Sequence, residues 1–265
     1  MLNRFKIALI ALLSMAYCQH SFGWGVEGHK VVALIAEQQL TPEARTGIDI
    51  IMHRDANGKI SDIASWADKI RGKEPGPQIS HVVKIPFKAT SYSAKRDCSG
   101  KYKCVVYGIL KAESELKDGR REDSDPIEQQ RALKFLVHYI GDVHQPLHGI
   151  QETGAMRTQP SRQKWELHKV WDTIIIRSSK QSPESIAKRL LAKHKTVQQG
   201  TPEQWAMESH DIAKRIIYGD NYALAKSRRP ISLDKDYYKE NMEIVDERLL
   251  AAGLRLGNVL NDIFK

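Results

Sequence analysis

Residues Phe135 to His148 read FLVHYIGDVHQPLH, and ELHKVWD from Glu166 to Asp172 echoes them. This doubled pattern constrains the fold more than any other feature. His138 and Asp142 are four residues apart, as are His168 and Asp172, so each pair projects from one face of its own helix. Two such pairs can hold metal between two helices, which requires both faces to turn inward. His148 follows the helix-breaking Pro146 and adds a nitrogen where the first helix ends. Imidazole mixed with carboxylate suits zinc better than calcium or magnesium, which prefer nearly all-oxygen shells. A lone His-x-x-x-Asp reads as a surface helix pair; two copies and a third histidine do not.

Met1 to Gly23 decides which residue begins the mature chain. Arg4 and Lys6 form a charged start, Ile7 to Ala16 an apolar stretch too short to span a bilayer, and Ser21 and Gly23 place small residues before a cut. We read residues 1–23 as a cleaved secretory signal, leaving 24–265 as one domain with a sizeable core and no membrane anchor. The protein is then expected in a periplasm or outside the cell, as a monomer. Losing Arg4 and Lys6 reduces the 41 basic side chains to 39 against 32 acidic ones, a formal excess of 7. That excess favours polyanionic or phosphorylated ligands, with plain solubility as the alternative. An exported compartment permits Cys98 and Cys104 to pair across a short loop; two buried free thiols are the alternative.

The fold class is all-α. A capping residue followed by proline recurs at Thr41-Pro42, Asp125-Pro126, Ser182-Pro183 and Thr201-Pro202, marking helix starts. Apolar spacing predicts a helix from about Val26 and another from Ser61 through Ile63, Trp66, Ala67 and Ile70, carrying Asp68. His81 to Pro86 reads as a short extended segment. Further helices are expected over Val105 to Lys117, from Asp125 through Asp142, around His168, over Pro183 to Lys195 and Pro202 to Tyr218, and from about Asp234 to Phe264. Gly149 to Lys164 reads as a loop. Trp66, Trp165, Trp171 and Trp205 fall at apolar positions suited to core packing. His53, His144, His194 and His210 are assigned no metal.

Trp24 and His29 at the new amino terminus, with Asp68, His81, His138, Asp142, His148, His168 and Asp172, follow an order and spacing that resembles the S1/P1 nuclease family. The likeness runs over essentially the whole mature chain, through WGVEGH, SWAD, GDVHQPLH, LHKVWD and AGLRLGNVLN. It implies a compact multi-helix fold, cleavage of single-stranded DNA and RNA to 5′-phosphorylated products, removal of 3′-phosphates from nucleotides, and three zinc ions. By the same resemblance, one zinc takes Asp68, His81, His138 and Asp142, and a second takes His148, His168 and Asp172. The third takes Trp24, through its free amine and carbonyl, with His29 and a bridging Asp142. Asp68 and Asp142 are thereby the expected catalytic carboxylates.

The chain departs from the family at its base-recognition positions. An aromatic residue usually follows the histidine matching His81, with Asp or Asn two positions later; here Val82 and Lys84 stand there. The loop between His148 and His168 lacks the usual Gly-Gly-Asn and offers Gly154-Ala155-Met156-Arg157. The expectation is weak base preference, with phosphate contacts from Lys84, Arg157, Arg162 and Lys164 in its place. A zinc phospholipase C is the nearest rival reading, followed by a small-nucleotide phosphatase and a non-catalytic exported zinc protein. The short Trp24–His29 gap and Asp172, where the lipases carry Glu, favour the nuclease branch.

Overall fold

The computed structural model describes residues 23–52, 59–73, 79–100, 103–119, 125–151, 157–159, 165–193, 196–219, 231–233 and 235–265, with backbone alone at 157–159, 165–166, 231–232 and 235. The putting-together of the chain starts at its proline caps. Helix α1 spans Val26–Glu37, α2 Pro42–Met52, α3 Ile60–Ile63, α4 Trp66–Ile70, α5 Ala94–Asp97, α6 Val105–Asp118 and α7 Pro126–Val143. Short α8 (Leu167–Lys169) and α9 (Ile175–Ser178) flank a π-helical stretch, Val170–Ile174; α10 (Pro183–Ala192), α11 (Pro202–Ile212) and the long α12 (Lys235–Ile263) follow.

All four proline-marked starts are capped by the preceding side chain. Ala44 donates to Thr41 Oγ1 at 3.2 Å, Ile127 to Asp125 Oδ1 at 2.8 Å, Ser185 to Ser182 Oγ at 3.2 Å and Gln204 to Thr201 Oγ1 at 3.4 Å. Gln204 also accepts from the Thr201 amide at 2.8 Å, closing a capping box. Asp125→Ala should therefore cost about 0.5–2 kcal/mol, the worth of such a cap, measured by urea denaturation. No loss of stability would show that water serves the first turn equally well.

The all-α expectation stands, with local corrections. The helix expected from Ser61 breaks into α3 and α4, because the Ala64 carbonyl leaves the helical ladder to meet His138 Nδ1 at 2.7 Å. The expected loop 149–164 contains a strand, β1 (Arg157–Gln159), antiparallel to β2 (Trp165–Glu166) and parallel to β3 (Ile231–Ser232). Backbone bonds to distant residues make these short strands, which no local alternation announces. Past α11 the chain continues π-helically over Ala213–Tyr218 and stops at Gly219, whose φ of 39° favours glycine. Trp171 and Trp205 are core residues as expected, and Trp66 packs partly buried against Phe135. Residues 1–22, which carry all but the last residue of the expected signal, lie outside the described residues, as do His53 and His194. Among the described residues, no helix is long and apolar enough to cross a membrane.

The core lies where α1 packs against α12 and α10, and where α6 packs against α7. Val31, Val32 and Ile35 of α1 and Leu249, Ala252 and Leu256 of α12 are buried on it. Helix α7 is buried along its whole C-terminal half, from Leu136 to Val143. Its His138 and Asp142 consequently point into protein rather than water.

Candidate metal centre

His81, His138, Asp68 and Asp142 converge on one point. The His81 Nδ1 and His138 Nε2 atoms are 3.1 Å apart, and they lie 3.0 and 3.1 Å from Asp142 Oδ2. Asp68 Oδ1 stands 3.4 Å from His81 Nδ1 and 3.5 Å from His138 Nε2. Two donors that each sit about 2.0–2.1 Å from a tetrahedral zinc are about 3.3 Å apart, so these spacings are those of a ligand shell. Asp142 Oδ1 turns the other way and lies 3.4 Å from His29 Nε2. One carboxylate thus faces two groups of donors. His148, His168 and Asp172 form a third group, with His168 Nε2 3.6 Å from Asp172 Oδ1.

Both nitrogens of His29, Asp68 Oδ1, both Asp142 oxygens and His148 Nε2 are buried without a hydrogen-bond partner. Orphaned polar atoms on this scale are costly unless something else satisfies them. The charges agree. Burial opposes a charged His138, yet Asp142 and Asp68 push its pKa up to about 10, while burial draws His148 down to about 3. Burial alone would raise the Asp142 carboxyl, but His138 holds it well below the ordinary range. Carboxylates that draw a proton onto His138, beside imidazoles that burial keeps neutral, call for cations, and the mixed donor set fits zinc.

The surrounding chain aims these donors. The Ala64 carbonyl meets His138 Nδ1 at 2.7 Å and the His81 carbonyl meets His148 Nδ1 at 2.9 Å, so in each ring Nε2 is left as the free donor. Gly141 matters for the space it leaves: a Cβ there would stand 2.8 Å from His29 Nδ1. Gln145 was not singled out from sequence, although it lies inside GDVHQPLH. Its amide donates to Asp172 Oδ1 and its carbonyl accepts from the Leu147 amide, tying the third group to the turn that carries His148. His144 and His210 stay outside the groups: His144 Nδ1 meets the Ile140 carbonyl and His210 Nε2 the Pro86 carbonyl.

Trp24 is fully buried, and the backbone carbonyl of Asp172 accepts from the Gly25 amide at 2.7 Å. A Cβ on Gly23 would stand 1.6 Å from Asp142 Oδ1 and 3.0 Å from His29 Nε2. The backbone before Trp24 therefore occupies the space between these two side chains. The segment from His81 to Ile85, expected to be extended, bends at His81 and Val82 and turns where the Ile85 amide donates to the Val83 carbonyl at 3.2 Å; His81, Val83 and Ile85 are buried, Lys84 exposed and Val82 between. Val82 and Lys84 are thus nearer to solvent than His81. The backbone of Arg157 lies in β1, but its side chain, together with Arg162 and Lys164, is outside the described residues. Cys98 and Cys104 form a disulfide.

The description "S1/P1 Nuclease" belongs to the family model that matches residues 24–265. Among curated proteins, Endonuclease 4 of Arabidopsis thaliana is 29% identical over 97% of this chain and 93% of its own. Nuclease S1 of Aspergillus oryzae is 25% identical over 95% of each chain, and Nuclease P1 of Penicillium citrinum 25% identical over 91% of this chain and 97% of its own. With the whole of its described core and all three donor groups inside the matched residues, the chain belongs to the S1/P1 nuclease family.

Proposed function

We propose that the protein is an exported zinc-dependent nuclease that hydrolyses single-stranded DNA and RNA to 5′-phosphorylated products and also acts on 3′-nucleotides. The observation that carries this reading is the convergence of buried His and Asp donors on Asp142, whose own two oxygens lack a hydrogen-bond partner, at ligand-shell spacing, in a chain of this family. Asp68, His81, His138 and Asp142 would hold one zinc, and His148, His168 and Asp172 a second. Trp24 and His29 would hold a third with Asp142. Bound zinc supplies activated water near neutral pH and neutralises charge on phosphoryl oxygens.

The protein's own groups keep those donors in place. The Ala64 and His81 carbonyls hold the tautomers of His138 and His148, Gln145 holds Asp172, and Asp142 shares its two oxygens between neighbouring groups. Lys84 stands in water, where its ammonium can meet a phosphate of the strand. Cleavage after Gly23 would clear the space between Asp142 and His29 and give Trp24 a free amine; the position of Gly23 supports that cut.

The processed protein, sequenced at its amino terminus, should begin at Trp24 and hydrolyse single-stranded RNA and DNA in a reaction that a zinc chelator stops. Turnover that survives the chelator, or release of a phosphorylated headgroup from lecithin with none from nucleic acid, would sink the reading. Gln145→Leu removes the hydrogen bond to Asp172 while keeping the side chain's bulk. Its affinity for the metal at that group should fall by about 10–100-fold, the usual effect of losing such a support. Competition with a chromogenic chelator measures it, and wild-type affinity would leave Gln145 with only its turn-capping role.

A further inference from the structure

An α-helix ends with carbonyls that no amide of its own ladder reaches. At the end of α7 each of them has a partner. His144 Nδ1 donates to the Ile140 carbonyl at 2.7 Å, and the His144 and Gln145 amides donate to the Gly141 and Asp142 carbonyls at 3.1 and 3.0 Å. Ser209 Oγ of α11 donates to the Val143 carbonyl at 2.6 Å. The next carbonyl, that of His144, accepts from Arg248 Nε of α12 at 3.1 Å. Arg248 Nη2 also donates to Ser209 Oγ at 3.0 Å, so these two buried side chains act as one unit. On the far side of the turn, a Cβ on Gly149 would stand 2.8 Å from both the Ala206 carbonyl oxygen and the His210 amide nitrogen. The backbone of α11 therefore lies flush against Gly149, and α11 holds the chain on both sides of residues 145–148.

We propose that Ser209 and Arg248 are positioning residues for the His148–His168–Asp172 group, acting through the peptide that joins His144 to Gln145. That peptide has its oxygen on Arg248 and its amide on the Asp142 carbonyl. Held from both sides, it fixes where the Gln145 side chain starts. Gln145 then donates to Asp172 Oδ1, accepts from the Leu147 amide on its side-chain oxygen, and accepts from the His148 amide on its backbone carbonyl at 2.9 Å. A small tilt of the one peptide would thus move the support of Asp172 and the backbone of His148 together. The other donors are aimed by different means. His138 and Asp142 project from α7 before its end, and the Ala64 carbonyl holds the His138 ring. Loss of Ser209 or Arg248 should therefore reach one donor group and spare the rest. The role depends on these donors being metal ligands, as the nuclease reading has them; the hydrogen bonds do not.

The test is competition for zinc between a chromogenic chelator and two variants of the processed protein. Ser209→Ala removes the hydroxyl, and Arg248→Lys keeps a charge for Glu208 but lacks the planar fork of donors. In each, one zinc should bind about tenfold more weakly, the lower end of what a supporting hydrogen bond contributes, with the remaining zinc held as in the wild type. The weakened ion should be the one that Asp172→Asn loses: added to Asp172→Asn, neither change should reduce the zinc content further. In a Gln145→Leu background Ser209→Ala should weaken binding by less than about twofold, because the path through which it acts is already cut. Equal weakening of every ion, or full additivity with Gln145→Leu, overturns the proposal and leaves the two residues as general braces of the fold. Should Arg248→Lys fail to fold, Ser209→Ala decides alone. A wild-type protein that takes up no zinc sinks the metal-centre reading and this role with it. Zinc bound by the wild type with unchanged affinity in the variants removes the role and leaves the metal centre.

Discussion

Asp142→Asn should lower hydrolysis of single-stranded nucleic acid by more than about 100-fold, beyond what loss of a supporting hydrogen bond costs at a metal centre. It should also deplete more than one metal ion. The reason is the two-sided use of the carboxylate: Oδ2 lies 3.0 and 3.1 Å from the His81 and His138 nitrogens, and Oδ1 lies 3.4 Å from that of His29. Asparagine keeps the shape but loses the charge and turns an NH₂ toward one of the two groups. The side chain is fully buried, so water cannot take the place of the lost oxygen. Asp172→Asn should deplete the His148–His168 group alone, since Asp172 belongs to one group. Elemental analysis of the purified variants checks both. Equal metal loss in the two variants would mean that Asp142 does not bridge.

Glu208→Ala should destabilise the protein by about 3–5 kcal/mol, the cost of leaving buried charge without its partner. Arg255 donates to both Glu208 oxygens at 2.7 Å, and Arg248 donates to Oε2 at 2.6 Å. The two guanidiniums are almost wholly buried, although the Glu208 side chain itself is half-exposed. They also brace the segment behind the metal centre. Arg248 Nε donates to the His144 carbonyl at 3.1 Å, and Arg255 Nη1 meets His144 Nε2 at 2.8 Å. Burial and the two arginines hold the His144 pKa well below its usual value. The ring therefore stays neutral, accepts from Arg255 and donates to the Ile140 carbonyl, which fixes His144 one residue before Gln145. Urea denaturation measures the cost. A loss under about 1 kcal/mol would show that water reaches both guanidiniums once Glu208 is gone.

The two His-x-x-x-Asp pairs were legible because each rests on a local rule, whereas His29, His81 and Asp68 entered only through the family resemblance. A four-residue spacing puts His138 above Asp142 on any α-helix, and four capping residues before proline name helix starts wherever the chain later packs. Gln145 and the Ala64 carbonyl were not legible. Each acts on a residue far along the chain or through backbone, and neither leaves a periodic mark. The break between α3 and α4 is of this kind: the apolar spacing of Ile63, Trp66, Ala67 and Ile70 predicts one helix, and the demand of His138 for a carbonyl interrupts it. The short strand inside the 149–164 loop escaped for the same reason, since its partners lie at 165–166 and 231–232.

By itself, then, the sequence determined the helical class, the helix starts, the types and order of the metal-binding candidates and the family they resemble, because those follow from spacing and side-chain chemistry. Tertiary structure alone decided which histidines the two oxygens of Asp142 face, that Gly141 admits the ring of His29 and that Gly23 lies across the site. Those are matters of a few tenths of an ångström between residues far apart in the chain. Only the packing of α1, α4, α6 and α7 around one another sets them.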